Sequence, residues 1–162
     1  MREEFCSDFT GDHTEDVVLW ELLRRRGALV QYFRIPGKPV ANERARTISR
    51  GGRTWSYTPK TTAAWRQHVF NTVYRQNPVK IDPPFSVALK FLCESGEKVS
   101  DLDNLVKAIF DALFSDKKAM PPFPFRDDKY ITDCLAFKRL AGPGEPPGVK
   151  LWVIKNQITK TL

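Results

Sequence analysis

Ser100-Asp101-Leu102-Asp103-Asn104-Leu105-Val106-Lys107-Ala108-Ile109-Phe110-Asp111-Ala112-Leu113 is the stretch on which the fold turns. Wound at 3.6 residues per turn, it stacks Leu105, Ile109 and Leu113 on one stripe, with Val106, Phe110 and Phe114 beside them. Together these make a wide apolar face of the kind that packs on a core. Asp103, Lys107 and Asp111 are spaced four apart and line a polar face. Ser100, Asp101 and Asp103 all suit a helix start, where a short polar side chain accepts from free backbone N–H groups. Two readings follow. One is a capped helix with a solvated Asp–Lys pair. The other is a metal site at the helix entrance, with Lys107 placed to meet a phosphate. Taken alone, the stretch slightly favours the first.

Arg126-Asp127-Asp128-Lys129-Tyr130-Ile131 shifts the balance, because it sets two more carboxylates just before an expected strand. Mg²⁺ takes oxygen ligands and uses one or two carboxylates together with water and phosphate. Phosphodiester cleavage by two metals needs several carboxylates from separate segments. An Asp-x-Asp at a helix start and an Asp-Asp at a strand start can meet that need.

Asp101-Leu102-Asp103-Asn104-Leu105-Val106-Lys107, then Phe110-Asp111-Ala112-Leu113, then Asp127-Asp128, resembles the signature of the RusA family of Holliday junction resolvases. Ile35-Pro36-Gly37-Lys38-Pro39-Val40-Ala41-Asn42-Glu43-Arg44-Ala45-Arg46 is similar to the Pro-rich strand and Asn-x-x-x-Arg-type basic segment with which that family opens. The resemblance runs in the same order from about Leu29 to the C-terminal end. It implies a metal-dependent endonuclease of bacteria or phages. Asp101, Asp103 and Asp128 would be the metal-binding carboxylates, with Asp127 a weaker candidate because the family uses the second Asp of that pair. Lys107 would stabilise charge on the phosphate or leaving group. Asp111 also matches, and would pair with Lys107 or hold a partner segment. The implied cofactor is Mg²⁺, with Mn²⁺ as a substitute.

The chain has 162 residues, enough for one domain with a real core, and 41% hydrophobic against 28% charged residues is ordinary for a globular protein. No apolar run approaches a membrane span, and Met1-Arg2-Glu3-Glu4 lacks the pattern of a signal peptide. Cys6, Cys93 and Cys134 are scattered and odd in number, which argues against a disulfide framework or a zinc site and for a reducing cytoplasm; the resemblance implies that of a bacterial or phage-infected cell. The net charge of +7 is split unevenly. Residues 1–21 carry seven acids and the single base Arg2, so the rest of the chain is at +13. A body that basic points to a polyanionic partner, most often nucleic acid.

Residues 1–28 read as an acidic N-terminal extension with one helix from about Glu15 to Arg26, and 29–162 as the RusA-like domain. The extension is read first as a packed addition; a partner-binding helix and an acidic cover over the DNA surface are the alternatives. From Arg34 to Arg66 there are eight bases and one acid, Glu43, with Trp55, Tyr57 and Trp65 interleaved. Bases for phosphates with aromatics for opened bases is a nucleic-acid pattern. Lys38, Asn42, Arg44, Arg46, Arg50, Arg53 and Lys60 are the candidate DNA contacts, while Trp65 reads better as core. Gly51-Gly52 marks the tip of a hairpin. Thr58 is expected to cap a helix with Pro59 at its first position. Its face is Trp65, Val69, Phe70 and Val73, and its lone His68 reads as a packing residue. Phe85–Leu92 is expected to be an alternating strand, and further strands are expected at Tyr130–Lys138 and Val149–Ile154. Glu97 reads as a solvated loop residue, and three prolines exclude a helix from the link at 115–125. The order gives an α+β fold, a mixed β-sheet with helices packed on one face.

The function that the resemblance implies is resolution of four-way junctions or related branched DNA by a homodimer, whose two sites match two symmetric strands. A metal-dependent nuclease acting on other DNA structures, and a branched-DNA-binding protein that does not cut, are the alternatives.

Overall fold

In chain order the elements are β1 (Gly27–Pro36), β2 (Arg46–Arg50), β3 (Arg53–Tyr57), α1 (Lys60–Arg75), β4 (Phe85–Cys93), α2 (Leu102–Leu113), a 3₁₀ turn (Asp128–Tyr130), β5 (Ile131–Leu140) and β6 (Gly148–Asn156). The computed structural model describes residues 27–43, 46–94, 100–114 and 127–156, with side chains over 31–43, 47–94, 100–114 and 127–156. The expected N-terminal helix, Cys6, Arg44, the side chain of Arg46, Glu97 and the link at 115–125 lie outside the described residues.

Four strands form one mixed sheet in the order β1-β6-β4-β5. β6 runs antiparallel to both β1 and β4, whereas β5 runs parallel to β4. A parallel pair needs a long crossover, and α2 is that crossover. It lays Leu105, Ala108, Ile109 and Leu113 on the sheet, as the stripe of the sequence requires. α1 lies beside it and buries Thr62, Trp65, Val69 and Val73. The core joins these to Phe33 and Ile35 of β1, Phe85, Val87, Leu89 and Phe91 of β4, and Val149, Leu151 and Val153 of β6. These are alternate positions along each strand, so they share one sheet face. The α+β expectation is met, with both described helices on that face.

Two local expectations are corrected. β4 does not alternate between core and solvent: all nine of its residues are buried. It is an interior strand, paired on both edges, and its second face is covered as well as its first. Ser86 tolerates this position because its hydroxyl joins a polar cluster with Thr132, Asp133 and Asn156 at 2.9–3.3 Å. The second correction is small. α1 starts at Lys60 with Pro59, not Thr58, at the cap, where Pro59 holds an extended ψ of 142°. The Pro59 carbonyl accepts from the Ala63 N–H at 3.0 Å.

β1 and β6 approach closely where Pro36 pairs with Gly148. A Cβ on Gly148 would lie 2.7 Å from the Ile35 carbonyl oxygen. That contact is with backbone and cannot swing aside, so the position has no room for a side chain.

The Gly- and Pro-rich connector from β5 to β6 is closed by a fork. Arg139 Nη1 and Nη2 donate to Glu145 Oε2 and Oε1 at 2.6 and 2.8 Å. The Gly142 N–H donates to the same carboxylate at 3.0 Å. The Arg139 guanidinium holds the Glu145 carboxyl below its ordinary value of 4.5. A group with a depressed folded pKa stabilises above its unfolded pKa and loses that stabilisation as pH falls through the folded value. Glu145→Gln should therefore cost about 1 kcal/mol near neutrality. The gap to wild type in urea unfolding should close below about pH 4. A gap that persists under acid would assign the loss to packing instead.

Candidate metal centre and nucleic-acid interface

The first turn of α2 begins at Asp101, whose backbone is extended and whose carboxylate makes no capping hydrogen bond. Its backbone oxygen does the helical work, accepting from the Leu105 N–H at 3.2 Å. The capped-helix reading of this stretch therefore fails at Asp101, and an exposed carboxylate is left at the helix entrance. Asp103, in the first turn, is exposed too.

A cleft of about 580 Å³ runs along α2, with Ala136 of β5 and Asp128 as its lining from outside the helix. Leu102, Val106, Phe110 and Ala136 give it an apolar floor, and Asp103, Lys107, Asp111 and Asp128 give it its charge. Asp103 and Asp111 stand about 12 Å apart along the helix axis, two turns at 1.5 Å per residue. Asp128 sits at the Asp111 end, where its N–H donates to the Phe114 carbonyl at 3.1 Å. Thus the structure brings Asp103, Lys107 and Asp128 to one cleft. Asp101 and Asp127 are not among its lining residues. Among the described residues no three His, Cys, Asp or Glu side chains converge tightly enough to cage a metal.

Asp127 and Asp128 are adjacent but differ in task. Asp127 caps the 3₁₀ turn, accepting from the Lys129 N–H at 3.1 Å, and its carboxylate lies 3.3 Å from Lys129 Nζ. The Lys129 N–H, followed by a hydrogen bond from Asp128, holds its carboxyl low. Asp128 moves the other way. Desolvation raises its pKa, helped by the hydrogen bond to Asp127 and by the Asp127 and Asp111 charges, while Lys107 opposes the rise. Negative charge is thus crowded around Asp128, and a bound cation would relieve it.

Asp111 ties three segments together. Its Oδ2 accepts from Arg66 Nη2 of α1 at 2.5 Å and from Asn42 Nδ2 at 3.1 Å. Its Oδ1 lies 3.5 Å from Lys107 Nζ, one turn back on α2. Arg66 Nη2 also donates to Asn42 Oδ1 at 2.6 Å, which closes a triangle. The Asn42 N–H donates to the Asn104 carbonyl at 2.9 Å. Asn42, counted from sequence among the DNA contacts, is therefore occupied in joining the basic segment to α2. Asp111 pairs with Lys107 and holds a partner segment as well, so both expectations for it describe the geometry. Arg66 is the residue that sequence reasoning missed. It was one base among eight, and no spacing rule links a residue of α1 to one of α2 forty-five positions on. A guanidinium next to the core residue Trp65 was the only signal available.

Lys38, Arg50, Arg53 and Lys60 are all exposed. The hairpin of β2 and β3 turns at Gly51-Gly52, where both φ values are positive, 59° and 73°. That conformation suits glycine in a two-residue hairpin loop. His68 Nε2 donates to the Pro36 carbonyl, 2.7 Å away, and the ring packs on Trp65, as a packing residue should. Cys93 and Cys134 are free thiols, and burial raises both.

Asp111 and Arg66 are each a little over a quarter exposed, so their pairing is only partly screened. Asp111→Ala strands the guanidinium and should cost about 2 kcal/mol in urea unfolding. The double variant Asp111→Ala/Arg66→Met should lose less than the sum of the singles, by about 1 kcal/mol. Additive losses would show that the two groups do not depend on each other.

Among the described residues no helix is long and apolar enough to cross a membrane. No curated protein matches the chain. Residues 36–153 match the family model described as Endodeoxyribonuclease RusA. The match takes in β2 to β5, both described helices, the cleft and β6 as far as Val153. The chain belongs to the RusA endodeoxyribonuclease family.

Proposed function

We propose that this protein is a Mg²⁺-dependent endonuclease that resolves four-way junctions or closely related branched DNA, acting as a homodimer in the cytoplasm of a bacterial or phage-infected cell. The observation that carries the proposal is the cleft along α2, where Asp103, Lys107 and Asp128 share one space in a chain of this family.

The donor set fits a hard cation. It is all oxygen, it is crowded with negative charge at Asp128, and it contains no soft ligand. The lack of a three-carboxylate cage among the described residues suits an ion that keeps most of its water and takes one or two carboxylates. Asp103 at one end of the cleft and Asp128 at the other would each offer a carboxylate to Mg²⁺, or to Mn²⁺ in its place, and Asp101 would add its own from the helix entrance; Asp127, engaged in its turn, is the weakest of the four. When bound, the metal supplies an activated water and Lewis acidity at the scissile phosphate.

The chain's own groups do the remaining work. Lys107 offers a cation in the same cleft for charge that builds on the phosphate or the leaving oxygen. Asp111 limits where that ammonium can go, since it holds Lys107 from one side and is itself fixed by Arg66 and Asn42. The Lys38–Lys60 segment binds backbone phosphates, and its link through Asn42 sets that segment in register with the cleft. A two-fold dimer would present two such clefts to the two symmetric strands of a junction.

Asp101→Asn, Asp103→Asn and Asp128→Asn should each abolish Mg²⁺-dependent cleavage while junction binding survives or tightens, because negative charge is removed from a surface that meets a polyanion. Asp127→Asn should reduce cleavage far less. Matched four-way, forked, duplex and single-stranded substrates, with and without Mg²⁺, report both outcomes. Wild-type rates in two of the first three variants would place the chemistry elsewhere.

Binding should also fall steeply with salt. For every phosphate that the protein no longer neutralises, the log–log salt slope on duplex DNA should flatten by about 0.9. Removing charge at Arg44, Arg46, Arg50 and Arg53 together should flatten it visibly. An unchanged slope would turn this segment away from the DNA.

A further inference from the structure

β2 and β3 form a sheet of their own, and among the described residues they pair with no other strand. Every described side chain of the ribbon is exposed. Two-stranded ribbons are marginal in water without a packed face, yet this one sorts its residues strictly. Directly opposed residues of an antiparallel pair share a face. Thr47 opposes Ser56 and Ser49 opposes Thr54, so one face holds four hydroxyls. Ser49 Oγ and Thr54 Oγ1 meet on it at 3.0 Å. Ile48 opposes Trp55 and Arg50 opposes Arg53, so the other face is apolar and basic, with Tyr57 two residues beyond Trp55.

The second face is costly as it stands. Ile48, Trp55 and Tyr57 are 44%, 47% and 41% exposed, and they include both large aromatics of the ribbon. At the tip, Arg50 and Arg53 face each other directly, and like charges so placed repel. Neither guanidinium has an acidic partner among the described residues. An occupant that relieves both costs must be anionic at the tip and flat and apolar beside it. A phosphate between the two arginines, followed by an unstacked base against Trp55, meets both conditions.

We infer that the β2–β3 ribbon is a branch-point reader: its Ile48–Trp55–Tyr57 face stacks on bases exposed where DNA strands part, and Arg50 and Arg53 clamp the adjoining phosphate. This rests on the DNA-processing reading of the cleft and adds to it the feature that separates branched from continuous substrate. The cleft offers Lys107 and carboxylates for a cation, which would meet the phosphate of any substrate alike. Trp55 contacts a base face that continuous duplex keeps stacked.

The test measures binding without metal, so it needs no cleavage. Wild type, Trp55→Ala, Trp55→Phe and Arg50→Gln/Arg53→Gln are titrated on a four-way junction and on a continuous duplex of the same composition. The junction carries 2-aminopurine at the branch. Trp55→Ala should weaken junction binding about tenfold or more and leave duplex binding unchanged. Trp55→Phe should retain most of the affinity. The arginine pair variant should weaken both substrates. Wild type should quench the 2-aminopurine, and Trp55→Ala should not. Because the ribbon packs on no other described strand, the thermal unfolding of the body should be the same in all four proteins.

Equal loss on junction and duplex in Trp55→Ala would overturn the inference, and so would undiminished quenching. Unchanged binding together with a loss of dimer in sedimentation would overturn it as well, and would assign the face to a second copy of the chain. A wild type that shows the Trp55-dependent preference yet cuts nothing with Mg²⁺ would sustain the reader and defeat the hydrolytic proposal. A wild type that cuts junctions while Trp55→Ala binds them normally would do the reverse.

Discussion

Parallel pairing of β4 with β5 is the constraint from which the rest follows. An antiparallel neighbour could have been reached by a tight turn, with nothing left over to build a site. A parallel one obliges the chain to travel back over the sheet, and α2 is the return path. The helix must present an apolar stripe inward, which frees its opposite side for Asp103, Lys107 and Asp111. The same crossover delivers the chain to the start of β5, and Asp128 stands there, against the end of the helix it has just left. The cleft is therefore a by-product of strand direction, equipped with charge.

Asp111 then converts a sheet with two helices into a coupled device. One carboxylate reaches the basic segment through Asn42, α1 through Arg66 and the cleft through Lys107. A partly buried ion pair contributes little net stability over an apolar contact of the same shape, but it tolerates few arrangements. Its value lies in fixing where three segments stand with respect to one another. A shift of the segment that carries Asn42 is thereby passed to Asp111, the partner of Lys107.

Local periodicity made much of this legible. The stripe of Leu105, Ile109 and Leu113 and the Gly51-Gly52 turn each speak within a few residues, and each gives the element found. Family likeness reached further and marked the carboxylates worth watching. Relations between distant residues stayed hidden. Ser86 and Lys90 read as an outward face because spacing reports polarity and not cover, and both are buried. Arg66 looked like one more surface base because its partner lies on another helix. The different tasks of Asp127 and Asp128 depend on one backbone N–H, which no composition rule can assign.

Strand order also bears on how the protein is made. β6 lies between β1 and β4, though it is the last described strand to leave the ribosome. Until it emerges, β1 has no neighbour in the sheet, and the residues that face β6 on β4 remain uncovered. Pairings between Gly27 and Asn156 span nearly the whole described chain, and contacts so distant in sequence close slowly. The sheet therefore cannot shut until the chain has been made as far as β6. During that interval the apolar positions of β1 and β4 are the segments most in need of a chaperone's cover.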